Sequence, residues 1–128
     1  MLRSALIAVA ILVAAASARA NAQSIEGGAA AFDADLMRLA EILGALHYLR
    51  PICGATDGPR WRTEMQSLLD AEAPGGDRRG RLVTNFNRGY RGFQQTYRSC
   101  TPSAAVAVRR YLEEGAKISR EITARYSN

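Results

Sequence analysis

Cys53-Gly54-Ala55-Thr56-Asp57-Gly58-Pro59-Arg60-Trp61 joins two stretches of helical periodicity, carries one of two cysteines and contains the only tryptophan. Upstream of it, Leu36, Leu39, Ala40, Leu43, Leu46 and His47 recur at helical spacing, which predicts a helix from about Asp33 to Arg50. Asp33 and Asp35 suit the positive end of its dipole and Arg50 the negative end. Pro51 is expected to stop it, because the residue before a proline avoids helical geometry. Downstream, Pro59 suits the first position of a second helix reaching about Glu72. Trp61, Met65, Leu68 and Leu69 share one face of it, and Pro74-Gly75-Gly76 ends it.

A third helix is predicted from about Arg78 to Arg98, with Asp77 as its N-cap. Leu82, Phe86, Tyr90, Phe93 and Tyr97 form its apolar stripe, and Arg81, Arg88, Arg91 and Arg98 form a row on the opposite side. Gly89 and Gly92 each cost ~1 kcal/mol of helix propensity relative to alanine. Either they admit another backbone closely or the helix bends there. A fourth helix starts at Thr101 as N-cap with Pro102 in the first position. Its predicted inner face is Ala105, Val108, Leu112, Gly115, Ser119, Ile122 and Tyr126. Glu113 with Lys117, and Glu121 with Arg125, stand four apart on its outer side.

Residues 1–22 read as a signal peptide. Arg3 gives a positive start, Ala5 to Ala16 form an uncharged apolar run, and Ala18-Arg19-Ala20 and Ala20-Asn21-Ala22 offer cleavage sites. The run is shorter than the ~20 residues that span a bilayer, so no membrane span is expected after cleavage. The mature chain is expected to begin at Gln23, with Asn21 second. Residues 23–32 read as a flexible lead-in and 33–128 as the helical domain. No cysteine lies at the cleavage region to take a lipid, and no twin arginine is present, so general secretion to the periplasm is the expected route.

In an oxidising compartment an even cysteine count favours bridging, here Cys53 to Cys100. The alternative is a reactive Cys100 thiol ahead of a helix start, although no Cys-x-x-Cys or nearby resolving cysteine accompanies it. Four amphipathic helices, short connections and no strand signal predict an all-α fold, a small up-and-down four-helix bundle stapled by one disulfide. In that topology the first and third helices are parallel, so the cysteines that follow them meet at one pole. Closing so long a loop contributes roughly 4 kcal/mol by chain entropy.

The charge offers less. Net charge falls from +5 to +3 once Arg3 and Arg19 leave, and Lys117 is the only lysine. That balance alone does not single out an anionic partner. The row Arg81, Arg88, Arg91 and Arg98 is either a solvated face or a candidate partner-binding surface, suited to bidentate pairing with carboxylates or phosphates. His47, the only histidine, and Trp61 read as the structural corner of the bundle. No carboxylate or thiol stands at a ligand spacing from His47, so neither metal nor cofactor is expected.

No Ser-His-Asp set, His-Glu-x-x-His or phosphate-cradling glycine loop is present. Glu64 is the residue an enzyme cleaving envelope glycan would use, without an evident second group beside it. The reading therefore favours a non-enzymatic binding or accessory module of the cell envelope. Its partner would be an envelope protein or an anionic envelope surface. Export argues against nucleic acid.

Several of these residues also carry a resemblance. Leu46-x-x-Leu49-Arg50-x-x-Cys53-Gly54, Trp61-Arg62-x-x-Met65, Phe86-Asn87-x-Gly89-Tyr90-Arg91, Tyr97-x-x-Cys100 and Tyr111 resemble a family of small exported alphaproteobacterial two-cysteine proteins of unknown function. The resemblance spans roughly residues 33 to 125. It implies export to a Gram-negative periplasm and a disulfide, and it implies no activity.

Overall fold

The structure, a computed structural model, describes residues 31–126. The expected signal peptide and the lead-in up to residue 30 lie outside the described residues, and the bundle is the unit that begins at Ala34. Four helices are described: α1 (residues 31–52, within the bundle from Ala34 on), α2 (Gly58–Glu72), α3 (Gly76–Thr96) and α4 (Pro102–Tyr126). No strand occurs among the described residues.

The contacts run in the order an up-and-down bundle requires. Along α1, Arg38 meets Glu114, Ile42 faces Gly115, and Leu49 packs with Val108 and Ala104, so α4 descends as α1 ascends. Asn85 approaches Met37 and Tyr90 packs on Tyr48, so α3 runs parallel to α1. The fold is the all-α bundle that the periodicity predicts.

The predicted single stripe on α1 understates it. Leu36, Ala40, Ile42, Ala45 and Leu49 are fully covered, and together with Leu43, Gly44 and Leu46 they occupy most of the circumference of the helix. A helix with apolar residues covered on several sides is packed by neighbours on those sides, and α1 is the central helix on which the other three pack. Burying each large side chain fully stabilises the fold by about 1.5–3 kcal/mol.

Two glycines set how closely α1 and α3 approach. A Cβ on Gly44 would lie 1.9 Å from the Phe86 carbonyl oxygen, and one on Gly89 would lie 2.0 Å from that of Glu41. Of the two readings of Gly89, close approach of another backbone is the one realised. Gly92 has nothing within 4 Å of the same position and takes no part in this crossing.

Several helix ends differ from expectation. The helix already runs at residue 31, and Pro51 does not stop it. Pro51 falls in the last turn, and termination comes at Gly54, whose φ of 87° closes the end. Ala55 N–H donates to the Arg50 carbonyl and Gly54 N–H to that of Pro51, the paired bonds of a Schellman motif. Asp57 precedes α2 without a side-chain capping bond, because its carboxylate is engaged by Arg50. Asp77 is not the N-cap of α3; Gly75 is, and Asp77 lies in the first turn, where its charge favours the dipole. That helix ends at Thr96, with Tyr97 extended and Arg98 beyond it. Thr101 caps α4 as expected, its hydroxyl accepting from Ala104 N–H at 3.1 Å.

On α4 the inner face is rotated from the predicted one. Ala104, Val108 and Ile118 are buried, whereas Ser119 is exposed. Lys117 pairs with Glu121 at 3.9 Å rather than with Glu113.

Candidate functional site

One pole of the bundle is built from the corner at residues 53–61. Cys53, at the end of α1, is bonded to Cys100, with Cα atoms 4.8 Å apart across a sequence separation of 47. No free cysteine remains, which removes the reactive-thiol alternative. Arg50 reaches across the corner, its Nη2 donating to Asp57 Oδ2 at 2.7 Å and its Nε standing 3.3 Å from both carboxylate oxygens. Those bonds, and the guanidinium charge behind them, hold the Asp57 carboxyl below its ordinary value. The Trp61 indole N–H also favours that charge, although it comes within hydrogen-bond geometry of no acceptor. Trp61 is 5% exposed, with Arg60 stacked 4.9 Å over its ring. The indole is a core plug.

His47 is half-buried between Phe86 and Tyr90, with ring centroids 5.8 and 5.5 Å away. Its Nδ1 lies 3.2 Å from the Gly58 carbonyl oxygen. A carbonyl only accepts, so Nδ1 carries the proton in this contact. His47 therefore touches the start of α2 through the Gly58 carbonyl while its ring packs against α3, and Trp61 lies in the first turns of α2. Among the described residues no group of three His, Cys, Asp or Glu side chains is placed to hold a metal. No described helix is long and apolar enough to cross a membrane.

The four arginines do not form one row on one helix. Arg81, Arg88 and Arg91 are exposed on the outer side of α3, while Arg98 is exposed in the turn after it. Arg88 and Arg91 have no ion-pair or hydrogen-bond partner among the described residues.

Among the described residues, grooves flank the central helix. One, of about 540 Å³, lies where α4 meets the end of α3, with Phe93, Tyr97 and Tyr111 in its wall. A second, about 400 Å³, runs between α2 and α3 over His47. A third, about 340 Å³, holds Trp61 and Glu64. His47 and Glu64 therefore face different grooves. Glu64 is exposed and 4.0 Å from Arg60, and no second carboxylate lines its groove.

One cluster has no counterpart in the sequence reading. Arg38 of α1 makes a two-pronged contact with Glu114 of α4, both bonds 2.8 Å, and stacks 5.3 Å over the Tyr111 ring. The same hydrogen bonding holds Glu114 below its ordinary value and raises Arg38. The partners stand 76 residues apart, and only the packing of α4 on α1 brings them together. The Arg50–Asp57 clamp, seven residues apart across a turn, carried a local signal: opposite charges flanking a corner.

A family model described as a protein of unknown function (DUF2385) matches residues 31–126 of the chain. No curated protein and no solved structure matches it.

Proposed function

We propose, from the premise that the chain belongs to the DUF2385 family, that it is an exported, disulfide-stapled binding module of the cell envelope, acting without chemistry of its own. The observation that carries this reading is the outer side of α3. Arg88 and Arg91 stand exposed there with no carboxylate among the described residues to neutralise them. Exposed guanidinium groups of this kind suit carboxylate- or phosphate-bearing partners, which they engage through two parallel hydrogen bonds. The Cys53–Cys100 bond supports residence in an oxidising compartment, and the uncharged run Ala5 to Ala16 behind Arg3 supports export.

The reading is tested with Arg88→Glu/Arg91→Glu protein. Neither side chain contributes to the core, so the melting temperature should hold while capture of the envelope partner is lost. Capture by the unaltered protein should weaken with salt, since exposed charges are screened beyond ~10 Å at 0.1 M ionic strength. A double variant that melts early yet still captures its partner rejects the proposal. Mass spectrometry of the protein from its native cells should show a mature start at Gln23, and Met1 retained would reject export by cleavage.

A further inference from the structure

We propose that the groove between α2 and α3 is a docking site for an acidic amphipathic helix of a partner protein. This rests on the reading of α3 as the partner-binding side and names the partner's chemistry. The floor of the groove is apolar, with Met65 and Leu69 from α2 and Phe86 from α3. Val83 on its edge is 38% exposed, one of two large aliphatic side chains left open to water.

The rim is polar and of one sign. Arg62 of α2 lines it and no carboxylate does. Arg91 stands one helical turn beyond the rim residue Asn87, so the cationic character continues along α3, while on the α2 side Asp70 accepts from the rim residue Gln66 one turn beyond the groove. An acidic face turned to the Arg62 and Arg91 side is favoured over a basic one, because like charges brought together across an interface are penalised, and over a neutral one by the carboxylate pairing that a guanidinium offers.

The shape favours a helix over a small molecule. A small ligand is typically held in a cavity that buries most of its surface, whereas this groove is open along its length between two helices. From Val83 to Tyr90 it follows α3 for about 10 Å, two turns of a helix at 1.5 Å per residue. A helix lying there would place apolar residues at i, i+3, i+4 and i+7 on the floor and its acidic side towards Arg62 and Arg91.

The test uses the full chain with its disulfide intact and fluorescein-labelled peptides of about 14 residues, roughly four helical turns. Each has a leucine face and an opposite face of glutamate, glutamine or lysine, and binding is read by fluorescence anisotropy. The glutamate peptide should bind saturably and more tightly than the glutamine one, with the lysine peptide weakest. Val83→Glu, at an exposed position, and Arg62→Glu should each weaken the glutamate peptide by about tenfold or more, since both place a negative charge against it. Circular dichroism should show both variants folded.

Binding abolished by Arg88→Glu/Arg91→Glu but untouched by Val83→Glu and Arg62→Glu would overturn the groove and leave the arginine surface standing. Binding sensitive to Val83 and Arg62 but indifferent to Arg88 and Arg91 would support the groove with Arg62 as its cationic anchor, and reject both the part given to Arg91 and the broader arginine reading. No peptide binding at all would overturn the proposal. Val83-dependent binding of dodecanoate in place of the peptides would likewise overturn a helical occupant.

Discussion

At Gly89 an added methyl group would stand 2.0 Å from a backbone oxygen of α1, and at Gly92, three residues on, it would meet nothing within 4 Å. The two positions therefore make opposite predictions for one chemical change. Gly89→Ala must push α3 off α1 and should cost about 2 kcal/mol or more, in the range of overpacked cores. Gly92→Ala removes only the flexibility of an exposed helical glycine and should stabilise by up to about 1 kcal/mol. Urea denaturation of the two variants checks both signs, and equal effects would mean that the close crossing is wrongly placed. The helical period marks both glycines and admits both explanations without choosing. The choice depends on which residues of α1 lie opposite, and no local pattern on α3 records that. Gly54 differs again: its left-handed φ of 87° is a local demand, legible in principle from its place after the last turn, although Pro51 nearby gives the stronger stop signal.

Among the elements, α2 and the start of α4 were the most legible. A proline in the first position and an apolar residue every three or four positions leave little freedom. The central helix was legible as a helix but not as the centre. Ile42, Ala45 and Leu49 fall off the strongest stripe, and only the presence of neighbours on all sides buries them. The α1–α4 pairing through Arg38 and Glu114 was not legible, and it makes a prediction of its own. Glu114 titrates in the folded chain below its ordinary 4.5 because Arg38 hydrogen-bonds its charged form. A carboxyl depressed by folding contributes stability that is present above its unfolded pKa and lost as pH falls through the folded value. Asp57 beside Arg50 shifts in the same direction. The melting temperature should thus be level above about pH 5 and decline below about pH 4. Glu114→Gln should lower the neutral-pH value and flatten part of the acid decline. A variant as acid-sensitive as the parent would show that the pair contributes nothing. Of the candidate site, the exposure of Arg88 and Arg91 was visible in the helical period, whereas the groove beside them required two helices to be set side by side.

For the molecule as a whole, the bond between Cys53 and Cys100 ties the ends of two parallel helices across 47 residues. Replacing either cysteine by serine should cost on the order of 2–5 kcal/mol, lowering the thermal midpoint without altering the helical signal of the cold protein. Alkylation without reductant should label neither cysteine. The same bond has a topological consequence for a broken chain. The exposed connection at residues 74–75 lies at the far pole and inside the closed ring of chain. A protease that cuts it opens the ring but does not divide the molecule. The α1–α2 half and the α3–α4 half stay covalently joined and hold each other at the high effective concentration of a tether. On a non-reducing gel the clipped protein should run as one species, and reductant should release two. The severed molecule keeps its fold until the thiols are freed, so the staple turns an otherwise destructive cut into a silent one.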